Sequence, residues 1–137
     1  FVGILKSQIQ LFLSSFYGLF VLTNNYEYSE PEFSWESTIA PTGLDFAPSS
    51  FGKYGNWLFI GDCNFGHIYK FKLNSDRDEF VFEDSNLHDL ILNNEDSVEE
   101  IIFGEGFGCI TDIEFSDNAM YVTSLSNGII YKIFLKD

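Results

Sequence analysis

Positive charge is scarce in this chain of 137 residues. Seven Lys and Arg stand against twenty-one Asp and Glu, a formal net charge of −14. Nucleic-acid recognition needs clustered Lys and Arg, so the charge argues against a nucleic-acid partner. Binding to an anionic membrane surface is disfavoured for the same reason. Cysteine is limited to Cys63 and Cys109. Neither belongs to a CxxC pair or lies at zinc-ligand spacing from a histidine, so two residues permit one disulfide and no sulfur metal site. Long apolar runs are also missing. The longest, Ile9–Leu22, is interrupted by Gln10, Ser14 and Ser15, which is short for a membrane span and closer to a signal-peptide core or a buried helix. Residues 1–25 lack a basic cluster beyond Lys6 and a clear small-x-small cleavage site. They form a doubtful apolar segment, set apart from the rest; a chain opening at Phe1 reads as truncated or damaged in frame.

Catalytic signatures are equally thin. There is no G-x-S-x-G. The glycine-rich Gly104–Gly108 lacks the Lys-Ser/Thr of a phosphate loop and leads into a strand pattern, so its glycines read as tight turns. His67 opens a strand beside Tyr69, and His88 sits among Leu87, Leu90 and Ile91; both read as structural or solvated. Asp62-Cys63-Asn64 followed by Gly66 is faintly like a calcium loop but lacks the later Glu ligand, and a β-turn is the better reading. The pair Glu99-Glu100 offers a weak oxygen site for calcium.

What the chain has is hydrophobic and aromatic mass. Apolar residues make up 45% and aromatics 18%, with sixteen Phe, too much for disorder and enough for one domain with a core. Phe, Tyr, Ile and Val suit pleated, half-buried surfaces. Short strands are predicted at Leu44–Phe46, Trp57–Ile60, Ile68–Leu73, Phe80–Phe82, Ile110–Phe115, Met120–Ser124 and Ile129–Leu135, with turns at Pro41–Gly43, Gly61–Gly66, Asn74–Asp78, Ser116–Asn118 and Ser126–Gly128. Eleven acids between Asp76 and Glu105 face one base, Arg77, the pattern of a solvated loop. One or two helical turns fit within Asn86–Leu92.

The chain also repeats itself. Asn56–Leu73, NWLFIGDCNFGHIYKFKL, maps position by position onto Asn118–Leu135, NAMYVTSLSNGIIYKIFL, at an offset of 62. Thr42–Phe46 maps onto Thr111–Phe115 at an offset of 69, the difference falling in the loop Ala47–Tyr54. Such a period signals stacked units, and units of three or four short antiparallel strands are propeller blades. The expectation is therefore an all-β protein with about two blades, 26–85 and 106–137, joined by an acidic insertion over 86–105. A two-sheet sandwich is the alternative.

A resemblance sharpens this expectation. Pro31–Trp35 with Ile39–Leu44, then Asn56–Gly61, Gly66–Phe71 and Gly106–Ile113, resemble in order the C-terminal part of the soluble glucose/sorbosone dehydrogenase family, over about residues 24–137. The resemblance implies a six-bladed propeller and an oxidoreductase that moves a hydride from an aldose onto PQQ, with calcium holding the quinone. It implies a small sugar as substrate, missing blades upstream as partners, and an extracytoplasmic or secreted location. It implies no catalytic residue in this chain, because the family's base histidine lies further upstream and neither His67 nor His88 matches it. Thr38 falls at a cofactor-contacting Thr. Asn64 falls at a PQQ-binding Lys, and Cys109 and Thr111 at an Arg pair. Neutral residues cannot replace those cations. The blade alignment sets Cys63 and Cys109 on adjacent units, where a bridge between them is expected. Three readings follow: a C-terminal, catalytically incomplete portion of a sugar dehydrogenase; a non-enzymatic propeller for binding or scaffolding; and a calcium-dependent propeller hydrolase using Asp62 and Asn64.

Overall fold

The computed structural model describes residues 30–116 and 118–135; the apolar segment 1–25 lies outside the described residues. The chain divides into two compact units between Ser34 and Trp35. The first is described only over 30–34, and the account below concerns the second.

Ten strands carry the described fold: β1 (Ser34–Trp35), β2 (Pro41–Phe46), β3 (Leu58–Asp62), β4 (Ile68–Leu73), β5 (Phe80–Val81), β6 (Ile91–Leu92), β7 (Ile102–Gly104), β8 (Ile110–Ser116), β9 (Ala119–Ser124) and β10 (Ile129–Ile133). Helix among the described residues amounts to two 3-10 turns, Gly52–Tyr54 and Ser85–Leu87. The described residues are all-β, in antiparallel sheets.

The larger sheet runs β2-β3-β4, and the outer edge of β4 is shared. β5 pairs with its far end (Lys72↔Val81, Leu73↔Phe80) and β7 with its near end (Ile68↔Gly104, Tyr69↔Ile102). The second sheet runs β8-β9-β10, and a two-stranded ribbon joins β1 and β6.

The two sheets are built from the same instructions. Asn56 and Asn118, which correspond at the 62-residue offset, both take left-handed backbone, with φ 67° and 60°. Gly66 and Gly128 correspond likewise, at φ 69° and 64°. These turns need residues that tolerate positive φ, and Asn and Gly do so at least cost. After each Asn the chain pairs hairpin-fashion: Ile60↔Tyr69 in one sheet, Val122↔Tyr131 in the other.

The sheets pack face to face. Phe59 and Ile68 from the first meet Ile110, Ile113, Met120 and Val122 from the second, with Phe51 closing one end. Each of these fully buried side chains contributes on the order of 1.5–3 kcal/mol. Phe51 sets its ring edge-on to Phe115 at 4.9 Å and to Phe59 at 6.1 Å, a favoured aromatic geometry. Two glycines allow the close approach. A Cβ on Gly43 would lie 2.7 Å from the Asp112 Cα, and one on Gly61 would lie 2.4 Å from the Ile110 Cγ2. Polar bonds fix the register between β2 and β8: the Thr42 hydroxyl donates to the Ile110 carbonyl, and the Phe115 amide donates to Asp45 at 2.9 Å. The opposite face of the first sheet carries Tyr69 and Phe71 under the Trp35 ring.

The acidic stretch departs from the expected solvated loop. Ile101 is fully buried, β7 pairs with β4, and the Glu100 carboxylate accepts the Glu83 and Asp84 amides at 2.7 and 2.8 Å. The expected helical turns over Asn86–Leu92 shrink to the single turn Ser85–Leu87, whose Asn86 amide donates to the Asp84 carboxylate. Leu90 takes φ 63°, which ends any helix, and the chain leaves as β6.

Candidate functional site

The positions singled out by the resemblance gather at one end of the two sheets, and the turn after β3 organises them. Asp62 ends that strand fully buried, and its carboxylate accepts three backbone amides: Phe65 at 2.6 Å, Gly66 at 3.2 Å and His67 at 3.2 Å. Ser124 occupies the same place in the second sheet and is also buried. Its hydroxyl donates to the Phe107 carbonyl at 2.5 Å and accepts the Asn127 amide at 3.3 Å. A buried polar side chain persists only where its bonds are met, and here both residues meet them by shaping a turn.

Around this frame Asn64 and Thr38 touch: the Asn64 side-chain amide donates to the Thr38 carbonyl at 2.9 Å, and the Asn64 backbone amide to Ile39 at 3.3 Å. Cys63 is joined to Cys109 by a disulfide. The Phe107 amide donates to the Gly66 carbonyl at 3.1 Å, and a Cβ on Gly66 would lie 2.6 Å from the Gly108 nitrogen. The two loops therefore meet backbone to backbone. Thr111 stands two residues past the bridge, its hydroxyl donating to the Thr123 carbonyl at 3.4 Å. Thr38, Asn64 and Thr111 are thus exposed residues on one stapled end of the fold.

The family positions at that end carry no cation. Asn64, Cys109 and Thr111 supply no cation to PQQ carboxylates, so the residues present do not fit that cofactor. Calcium fares no better: Asp62 and Glu100 spend their carboxylates on backbone amides, and among the described residues no three His, Cys, Asp or Glu cluster as a metal site. His67 stacks on Phe65 with ring centroids 5.7 Å apart and sets Nδ1 3.4 Å from the Tyr69 hydroxyl. Burial raises the Tyr69 phenol well above the usual tyrosine range, with the Asp62 charge and a hydrogen bond to Asp62 adding to it, so it stays protonated at neutral pH. His88 contacts the Phe82 carbonyl at 3.2 Å, a structural bond.

Sequence reasoning missed a second feature at the opposite end of β3 and β4. An open depression of about 340 Å³ is lined by Asn56, Trp57, Lys72, Asn74 and Arg77, among others. Arg77 lies over the Phe46 ring at 4.6 Å. Two of seven cations flanking one hairpin was the available signal. The repeated buried position, Asp62 and Ser124, was also legible at the 62-residue offset.

No family model matches this chain, and no curated protein or solved structure is significantly similar to it.

Proposed function

We propose that the two sheets are neighbouring blades of a propeller-type scaffold, and that this chain serves binding or architecture rather than sugar oxidation. One observation carries the reading. Where the resemblance calls for an arginine on the cofactor, Cys109 is consumed in a bond to Cys63. The neighbouring lysine position is Asn64, whose amide is spent on the Thr38 carbonyl. Both positions serve to hold two loops together. Charge-assisted contacts are worth about 1.5–3 kcal/mol each, so losing several lowers affinity for a tricarboxylate quinone by orders of magnitude. The disulfide supports an oxidising, extracytoplasmic compartment for the chain.

The test is a titration of the 137-residue chain with PQQ in calcium buffer, following quenching of its two tryptophans. The expected result is no saturation below about 1 mM. Saturable micromolar binding of PQQ, with no dye reduction on adding an aldose, would overturn the proposal and restore a catalytically incomplete sugar dehydrogenase.

A further inference from the structure

The repeat separates what the hairpin needs from what it carries. Both copies open with an asparagine in left-handed backbone, Asn56 at φ 67° and Asn118 at φ 60°, and both then pair as antiparallel hairpins. The neighbouring residues differ. Trp57 and Lys72 correspond to Ala119 and Phe134 at the 62-residue offset, so the hairpin forms without an indole or an ammonium at those places. In the first sheet Trp57 and Lys72 stand one step beyond the Leu58↔Phe71 pair. With Asn56, Ser75 and Arg77 they line the depression of about 340 Å³. That volume lies at the lower end of small-ligand sites, roughly 300–1,000 Å³.

The charged and aromatic part of this lining consists of donors. Lysine, arginine and the indole donate hydrogen bonds and cannot accept them. No acid among the described residues lines the depression, although the chain has twenty-one acids and seven bases. Among the described residues no hydrogen bond or ion pair engages the Lys72 ammonium, the Arg77 guanidinium or the Trp57 indole N–H. The acids of the same turn are directed elsewhere. The Asp78 carboxylate accepts the Asn74 side-chain amide at 2.7 Å, and Asp76 and Glu79 are exposed outside the lining. Arg77 lies over the Phe46 ring at 4.6 Å, a cation–π contact that positions the guanidinium and spends none of its N–H groups. Its backbone takes φ 62°, where Gly or Asn is the usual occupant. An arginine kept at such a position points to a use for its side chain. Trp57 is set edge-on against Tyr54 at 5.3 Å.

We propose that this depression binds a small organic phosphate monoester, with the phosphate between Lys72 and Arg77 and the apolar body against Trp57. Two cations match the two charges of such a group. Arginine offers a planar fork and lysine a point charge, and both suit phosphate oxygens. A monocarboxylate leaves one cation unmatched, and inorganic phosphate leaves the indole unused. The net charge of −14 opposes an approaching anion at long range, so half-saturation is expected on the order of 1 mM. The site lies at the opposite end of β3 and β4 from the Cys63–Cys109 bridge, and the inference stands or falls independently of the sugar-dehydrogenase resemblance.

The probe is phenyl phosphate, titrated into the ¹⁵N-labelled 137-residue chain, with inorganic phosphate and benzoate as comparisons. Saturable shifts are expected at the Trp57 indole N–H and at the Nε–H of Arg77, the chain's one arginine. Both comparison anions should bind about tenfold more weakly. Lys72→Gln and Arg77→Gln, at exposed positions, should each weaken phenyl phosphate about tenfold and leave the melting temperature unchanged. Four results would overturn the proposal: no saturation; inorganic phosphate binding as tightly as phenyl phosphate, which means an adventitious ion only; equal binding of benzoate; or unchanged binding in the double variant Lys72→Gln/Arg77→Gln. Shifts at Asn64 and Thr111 in place of Trp57 and Arg77 would overturn it as well. None of these outcomes bears on the PQQ titration, which tests the other end of the fold.

Discussion

Asp62 shows how one side chain orders a turn that brings several loops together. Three amides point at a carboxylate that water cannot reach. Removing the carboxylate leaves those donors without it, and bonds to charged groups are worth about 1.5–3 kcal/mol each. Asp62→Ala is therefore expected to cost about 3 kcal/mol in urea denaturation; a loss below about 1 kcal/mol would mean that water replaces the carboxylate without penalty. Tyr69 supplies a pH dependence. Its folded-state pKa is raised, first by burial and then by Asp62, so its stabilising effect is complete below the ordinary tyrosine value near 10. That contribution is lost progressively as pH rises above that value, because the unfolded phenol releases its proton first. Lys70 acts in the opposite sense. Burial lowers its pKa, so the penalty for its charge fades as pH approaches the ordinary lysine value from below. Comparing Tyr69→Phe with the parent cancels the lysine. The variant should lose less stability than the parent between about pH 9.5 and 11, and parallel pH profiles would show that Tyr69 contributes nothing to the alkaline loss.

At the scale of elements, the loop after β3 and the approach to β8 are joined by Cys63–Cys109, which spans 46 residues of sequence. Closing a loop of that length restricts the unfolded chain by about 4 kcal/mol on the entropy model. The double variant Cys63→Ser/Cys109→Ser should therefore unfold at a markedly lower urea concentration, and reductant should lower the parent to the same midpoint. Equal midpoints for parent and variant would show that backbone contacts between Gly66 and Gly108 alone hold the loops. Legibility in the sequence followed the same division into elements. Strands with alternating or β-branched apolar residues, such as Ile68–Leu73 and Ile129–Ile133, were readable because a two-residue period identifies a face. The repeated Asn and Gly marked their turns. β7 was hidden because Ile101-Ile102-Phe103 follows four acids within eight residues, Glu95, Asp96, Glu99 and Glu100, and charge alone suggests solvent exposure. Local composition could not reveal that Glu100 turns back to cap the Glu83 and Asp84 amides. The short β6 and the depression beside Trp57 depend on residues distant in sequence, and no periodicity records such pairings.

Over the whole molecule, the dominant physical quantity is charge. Twenty-one acids against seven bases give a folded state that repels itself more than its expanded chain does. The acids concentrate between Asp76 and Glu105, where β5, β6 and β7 are short and many side chains are exposed. That region holds together through the Phe71–Phe80 stack, buried Leu87 and Ile101, and carboxylate-to-amide bonds, against the repulsion of its neighbours. Screening should therefore favour folding, in contrast to a protein stabilised by surface ion pairs, which salt weakens. Between roughly 20 and 300 mM sodium chloride the Debye length falls from about 20 Å to about 6 Å, shorter than the span of the acidic stretch. The melting temperature should rise by about 4 °C, the shift that ~1 kcal/mol produces in a domain near this size. Because osmolytes also stabilise by exclusion, sucrose at matched osmolality is the control and should produce a smaller rise. Exchange protection should increase first at the β7 amides, since repulsion there is relieved most. A melting temperature that falls with salt would mean that attractive pairs, such as Lys70 with Glu100, outweigh the acidic excess.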